Sequence, residues 1–236
     1  MRAPVALAGI ASFALILGLA AAVPIGPPRV QASPTPLPRP TFTAPPLAEG
    51  GVLEPGVGRG SRAQTQAGLF RVPIAGLAVP TEAELLPEAA RDYRAGVHEG
   101  IDFPADAGTP VIAAADGVVI RADRDFVDWT DEQRAGALAD AVALGRTPTR
   151  TLDLIRGRQV WIDHGRGVVT RYAHLESVAV VAGQRVAGGE VIGAVGSSGY
   201  PEGGPHLHFE IRIGESYLGD GLAPAELARA LRVALR

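Results

Sequence analysis

The chain has 236 residues, 47% of them hydrophobic and 20% charged, enough to bury a core in one ordinary domain with appendages or two small ones. A net charge of -3, from 22 basic and 25 acidic side chains, shows no basic surplus and argues against nucleic acid as a partner. Every basic residue is arginine and there is no cysteine, so any metal site must be built from His, Asp or Glu rather than thiolate.

After Arg2 the chain is uncharged from Ala3 to Pro28, and Val5 to Val23 is an apolar run of 19 residues. That run is long for a secretory signal and just long enough to cross a hydrocarbon layer of ~30 Å. Residues 1–32 are therefore expected to direct export, either as a signal peptide cleaved after Val30-Gln31-Ala32 or as a retained N-terminal anchor. Residues 24–56 hold 10 of the 20 prolines, which reads as an extended tether over about 33–67. The expected location is extracytoplasmic, secreted or held at the outer face of the membrane, with membrane contact only through this N-terminal segment.

From residue 68 the composition becomes that of a folded domain. Leu69, Phe70, Val72 and Ile74 would be exposed in a tether, so 68–95 is expected to be a lead-in segment that packs on the domain itself. Beyond Val97 short Val- and Ile-rich runs alternate with Gly-bearing turns: 109–114, 117–122, 158–163, 168–174, 178–181, 190–195 and 206–213. Such spacing argues for a mainly β domain, a compact sandwich or barrel-like hybrid. Ala107-Gly108-x-x-Val111 recurs as Ala182-Gly183-x-x-Val186, a faint echo of a duplicated β unit. One segment breaks the pattern. Thr130-Asp131-Glu132-Gln133 is a capping-box start, Ala135, Leu138, Ala141 and Val142 share a helical face, and Gly145 ends it. A helix over about 131–144 is thus expected inside an insertion at 128–157, followed by a polar connection. A C-terminal helical segment is expected over 215–236.

The five histidines carry the chemistry. In Pro205-His206-Leu207-His208-Phe209-Glu210-Ile211-Arg212-Ile213, strand alternation puts His206, His208, Glu210 and Arg212 on one face and Leu207, Phe209, Ile211 and Ile213 on the other. Two imidazoles at i, i+2 suit a metal, since neutral imidazole is a favoured zinc ligand. In His98-Glu99-Gly100-Ile101-Asp102, His98 and Asp102 face the same way with Gly100 between them. Together the two segments supply three or four ligands of the type zinc takes. Three leave a position for water and make a catalytic site; four, with both His206 and His208, close a structural one. Spacing alone leaves that choice open. His174 ends a strand and His164 sits in a turn, which sets His164 aside from the site. Glu99 is rejected as a base: the H-E-x-x-H arrangement needs histidine where this chain has Asp102, and alternation points Glu99 away.

At these residues the sequence resembles the lysostaphin-like (LytM-type) zinc peptidases, which cut peptides of bacterial peptidoglycan. His98-x-Gly-x-Asp102, Gly108-Thr109-Pro110-Val111, Ala115-Asp116-Gly117-Val118-Val119, Val160-Trp161-Ile162-Asp163-His164-Gly165, Thr170-Arg171-Tyr172-Ala173-His174-Leu175, Gly196-Ser197-Ser198-Gly199 and Gly204-Pro205-His206-Leu207-His208 carry it, over about 96–214. The resemblance implies a compact β-fold with an open groove, one Zn²⁺ held by His98, Asp102 and His208, and His174 and His206 beside the reacting groups. It implies a zinc endopeptidase acting on a peptidoglycan peptide, read as a monomer; the rival is a catalytically inactive wall-binding or amidase-activating protein of the same fold. The insertion departs from the family's short loop and is expected to wall the substrate groove.

Overall fold

A computed structural model describes residues 70–236. The segments expected to serve as export signal and tether, and the first two residues of the expected lead-in, lie outside the described residues. A short antiparallel pair, β1 (Ala90–Arg91) and β2 (Gly96–Val97), precedes β3 (Ile101–Pro104), β4 (Pro110–Ile112) and β5 (Gly117–Ala122). Two helices, α1 (Asp131–Ala143) and α2 (Thr149–Arg156), then interrupt the β-structure. The chain continues through β6 (Val160–Asp163), β7 (Val168–Ala173), β8 (Leu175–Val178), β9 (Arg185–Val186), β10 (Val191–Val195), β11 (His206–Ile213) and β12 (Ser216–Tyr217), and ends in α3 (Pro224–Ala234).

The larger sheet has the order β12-β11-β7-β6-β5-β9, and β3 adds to β11 on the edge that β12 also uses. A second sheet, β4-β10-β8, shares its core: Val111, Leu175, Ile192 and Val195 cluster with Val119, Ile162, Leu207 and Phe209. Alternation along β11 works as expected on its apolar side, where Leu207 and Phe209 are fully buried. Burying side chains of this size stabilises by about 1.5–3 kcal/mol each. Tyr172 fits the same core because its hydroxyl accepts from the Ala114 amide at 2.8 Å and from Thr170 Oγ1 at 3.0 Å.

The polar side of β11 is also covered. Glu210 is fully buried and His208 nearly so, because β3, the lead-in segment and α2 crowd onto that face. Gly100 makes the approach feasible: a Cβ there would stand 2.6 Å from the Phe209 carbonyl oxygen. The room that Gly100 leaves is thus filled by the β11 backbone. In the lead-in, Phe70 and Ile74 are buried, and Phe70 exchanges backbone hydrogen bonds with Ala234 and Arg236 at the C-terminus.

Several elements differ from the sequence reading. The C-terminal segment expected to be helical over 215–236 begins with β12, because Ser216 and Tyr217 pair with Ile213 and Arg212, and is helical only at Pro224–Ala234. The strand expected at 178–181 lies earlier, at Leu175–Val178, because its partner β10 pairs those residues with 193–195. The helix α1 has both arms of its capping box, but Ala135 and Val142 are exposed and the inward stripe runs through buried Arg134, half-buried Leu138 and buried Ala141. The stripe turns because Arg134 is drawn inward by Glu202 at 2.6 Å and Asp131 at 2.7 Å. The polar connection is in fact largely the helix α2, which buries Ile155 and Arg156 and stops at Gly157 (φ 65°) against the Ser198 carbonyl. The Ala-Gly echo marks two turns with Gly108 and Gly183 at positive φ; the strands after them lie in different sheets.

Candidate metal centre and catalytic cleft

Strand pairing assembles the centre. Asp102 on β3 lies directly opposite His208 on β11, whose other neighbour is Ala173 on β7. His98, just after β2, is fixed by its amide on the Ala89 carbonyl at 2.8 Å and its own carbonyl on the Glu88 amide at 2.9 Å. Asp102 Oδ1 then stands 2.9 Å from His98 Nε2 and 2.9 Å from His208 Nδ1, and those two nitrogens are 3.0 Å apart.

The outer partners decide the tautomers. His98 Nδ1 is 2.9 Å from the Leu86 carbonyl, which only accepts, so Nδ1 carries the proton and Nε2 presents a lone pair. His208 Nε2 is 3.1 Å from Glu210 Oε1, a carboxylate, so Nε2 donates and Nδ1 presents a lone pair. Two lone pairs and a carboxylate oxygen thus converge in a buried corner with no donor between them. That set repels itself unless a cation sits among it, and imidazole, imidazole and carboxylate are ligands zinc takes. Of all His, Asp and Glu among the described residues, His98, Asp102 and His208 form the group able to hold a metal ion.

Burial opposes the charge on Asp102, yet the imidazoles beside it, His208 and then His98, hold its carboxyl well below the usual range. Burial pulls His208 down as well, but Asp102 and Glu210 more than offset it and raise it. His98 stays lowered, with burial the dominant cause. Beneath the centre, Glu210 remains ionised despite its burial because Arg156, then His208 and Arg171, stabilise its charge. Arg156 Nε donates to Glu210 Oε1 at 2.6 Å, and Arg156 also pairs with Glu99. Glu99, bound further to Arg212 at 3.0 Å, is a structural counter-charge and lies outside the ligand group.

His174 and His206 flank the group without joining it. His174 follows β7 in the left-handed region (φ 60°), an arrangement that costs roughly 1–2 kcal/mol for a non-glycine residue. Its amide donates to the Arg156 carbonyl at 2.8 Å and its Nδ1 to the Ser198 carbonyl at 2.9 Å, leaving Nε2 bare. Burial, with the neighbouring His206 and His208, pushes it down to about 3, so it is neutral. His206 donates Nδ1 to the Gly204 carbonyl at 2.9 Å; its Nε2 stays 3.9 Å from Asp102 Oδ1. The His174 and His206 rings lie 4.6 Å apart, centre to centre. His164 is remote in role: both ring nitrogens are used on the Asp116 carbonyl and Thr170 Oγ1.

All five residues open on a cleft of about 410 Å³ that Leu152, Ile155 and Arg156 of α2 also line. A larger hollow of about 930 Å³ beside Phe70, His164 and Arg236 contains none of them, and nothing there converges as the ligand group does. Across the cleft, Tyr93 of the lead-in stacks on Tyr200 (5.2 Å, 12°), and Arg94 is clasped to Thr147 of the insertion at 3.0 Å. Trp129 Nε1 donates to the Gly199 carbonyl at 2.9 Å. Sequence reasoning missed Arg156, Tyr93 and Arg91. Glu210 was signalled only by its place on the polar face of β11.

Residues 96–219, more than half of the chain, match the sequence model of Peptidase family M23. DD-carboxypeptidase/endopeptidase Mpg of Neisseria meningitidis serogroup B is 41% identical over 117 residues, 50% of this chain and 20% of that protein. Peptidoglycan DD-endopeptidase ShyC of Vibrio cholerae is 31% identical over 116 residues, 49% of this chain and 20% of that protein. A crystal structure of a zinc-containing peptidase from Vibrio cholerae aligns with a TM-score of 0.41 at 23% identity, covering 66% of this chain and 40% of that one. This chain thus spans about a fifth of the length of those curated relatives. Its match over the ligand-bearing strands and the cleft between them places it: the chain belongs to peptidase family M23.

Proposed function

We propose that the chain is a zinc-dependent endopeptidase that hydrolyses peptide bonds in the stems or cross-links of bacterial peptidoglycan. The observation that carries this reading is the convergence of three acceptor atoms, His98 Nε2, Asp102 Oδ1 and His208 Nδ1, on the floor of a cleft with two further histidines beside them. The DD-endopeptidase names of the relatives support the choice of substrate.

Bound by these three ligands, zinc would supply Lewis acidity toward a carbonyl and toward water. The rest falls to the chain's own side chains. His174 and His206 each commit Nδ1 to a carbonyl and leave Nε2 without a hydrogen-bond partner beside the ligand group. One, free at Nε2, accepts the proton of the attacking water; the other, carrying an Nε2 proton taken up beforehand from solvent, donates a hydrogen bond to the oxyanion and keeps that proton. The water oxygen bonds to the carbonyl carbon, the C–N bond breaks, and the accepted proton passes to the leaving amine. The two histidines share these roles in either order. Leu152 and Ile155 give the cleft an apolar wall that limits water around the reacting bond.

His206 stands aside from the ligand group, which disfavours a closed four-ligand structural site. All five residues on which the reading depends face one cleft, which disfavours an inactive wall-binding protein. The substrate places the enzyme outside the cytoplasm, delivered by residues 1–32 as signal or anchor. Among the described residues, no helix is long and apolar enough to cross a membrane. The complete ligand set comes from one chain, as a monomer requires.

The test is digestion of purified sacculi by the zinc-loaded full chain, with fragments identified by mass. Peptide-bond cleavage that stops on chelation and returns with zinc is expected. Intact sacculi and intact muropeptides after treatment with the loaded chain would refute the reading.

A further inference from the structure

His174 has a left-handed backbone (φ 60°), which a non-glycine residue keeps only where its surroundings fix it. Its ring is fixed by one bond, from Nδ1 to the Ser198 carbonyl at 2.9 Å. That carbonyl belongs to the planar peptide group joining Ser198 to Gly199. The N–H of the same group donates to Asp128 Oδ1 at 2.6 Å. Among the described residues that is the only bond the Asp128 side chain makes. Trp129 Nε1 donates to the Gly199 carbonyl, so two adjacent residues at the start of the insertion grip Gly199 on both sides of its α-carbon. The far end of the insertion presses on the same peptide. A Cβ on Gly157 would stand 2.2 Å from the Ser198 carbonyl oxygen, and one on Gly199 2.4 Å from the Ile155 carbonyl oxygen. Ser198 is held as well through Oγ, which accepts from the Arg158 amide at 2.9 Å and donates to the Leu175 carbonyl at 2.8 Å. The peptide group is thus held against rotation, with a carboxylate at one end and an imidazole at the other.

We propose that Asp128 is a positioning residue for His174: acting through the peptide group between Ser198 and Gly199, it keeps a proton on Nδ1 and leaves Nε2 to face the reacting groups. This rests on the hydrolytic reading and gives the insertion a role beyond that of a wall. A catalytic base is commonly oriented by a third group that holds its other side. Here one amide stands between the orienting carboxylate and the imidazole. The charge-assisted bond to the N–H polarises the peptide and makes its carbonyl a stronger acceptor for Nδ1–H, because hydrogen bonds in a chain reinforce one another. If His174 accepts the water proton, the polarised carbonyl stabilises the positive ring that results. If it donates to the oxyanion instead, the same carbonyl holds the charged ring in place. Asp128 is not in the ligand group, and its one bond goes to Gly199, so its effect on His174 is separable from any effect on zinc.

The experiment compares the zinc-loaded full chain with its Asp128→Ala and Asp128→Asn variants. It reads kcat and KM on soluble cross-linked muropeptides, zinc content by elemental analysis, and the ring nitrogens of His174 by NMR. In the wild type His174 should keep its Nδ1 proton in a single ring state. Asp128→Ala should lower kcat by about 10-fold at unchanged KM and full zinc, the worth of one hydrogen bond to a charged group. Its His174 nitrogens should move toward a mixture of tautomers. Asp128→Asn keeps an acceptor for the Gly199 amide and should recover most of both. Full kcat or unmoved His174 nitrogens in Asp128→Ala overturns the proposal. So does a fall in kcat that comes with loss of zinc, or one that Asp128→Asn leaves unrelieved; either would make Asp128 a prop for the loop only. Displaced His174 nitrogens in Asp128→Ala, beside a wild type that cleaves no muropeptide, would uphold Asp128 and count against the hydrolytic reading instead.

Discussion

On the proposed reading, which histidine would bind metal turns on single hydrogen bonds. Strand alternation makes the His206/His208 face legible in the sequence, but both imidazoles lie on it. What separates them is the register that sets His208 against Asp102, and the Gly204 carbonyl that holds His206 apart. Neither is written in local pattern, since register depends on how β3 and β11 meet. The same holds for His174, whose left-handed backbone turns the ring into the cleft. Ligand and proton-handling roles separate in mutants. His208→Ala should abolish zinc binding, read by elemental analysis. His174→Ala should keep a full zinc complement and lose turnover by ~10²-fold or more; full activity in that variant would remove His174 from the mechanism.

Among the elements, the insertion shows where sequence reading succeeds and where it runs out. The Thr130/Gln133 capping box marks a clear start for α1, and both reciprocal bonds form, at 3.2 and 2.8 Å. Its buried face differs from the apolar stripe because an arginine, not an apolar residue, turns inward. The helix α2 is hidden in the sequence because Thr149-Arg150-Thr151-Leu152-Asp153-Leu154-Ile155-Arg156 is short and half polar, and its polar residues find partners only in the folded state. Arg156 shows the consequence: the side chain braces Glu210 and the carbonyl holds the His174 amide. Arg156→Ala should destabilise by about 1.5–3 kcal/mol in urea unfolding, the worth of a hydrogen bond to a charged group, since His208, Arg171 and Arg212 still face the Glu210 carboxylate. A second anchor joins α2 to β5 through Arg121 and Asp153, 2.6 Å apart. Burial raises Asp153, but Arg121 and then Gln159 more than offset it and lower it from 3.8. Its contribution is therefore full above pH 3.8 and lost as pH falls through the lower folded value. The pair is partly exposed, so after solvent screening it is worth less than about 1 kcal/mol. Asp153→Asn should flatten the acid limb of the stability curve by that amount, and an unchanged limb would show that the pair contributes nothing.

For the whole molecule, two sheets around one core hold β3, β7 and β11 side by side, and that adjacency is what brings residues 98, 102, 174, 206 and 208 together. The β character and most strand positions were legible because Val and Ile recur between glycine turns. The division into two sheets was not, since it depends on pairings between distant strands such as β4 with β10. The ligand group is preformed, so zinc should act on global stability as a ligand of the folded state. At a free concentration a hundred times its dissociation constant it should add about 2.7 kcal/mol, visible as a raised Tm that chelation reverses. The most direct test of the central claim is a crystal structure of the zinc-loaded protein. The account predicts one zinc bound by His98 Nε2, Asp102 Oδ1 and His208 Nδ1 at ~2.0–2.2 Å, with no protein atom in the fourth position. Zinc bound elsewhere, or His206 or another side chain completing the tetrahedron, would contradict it.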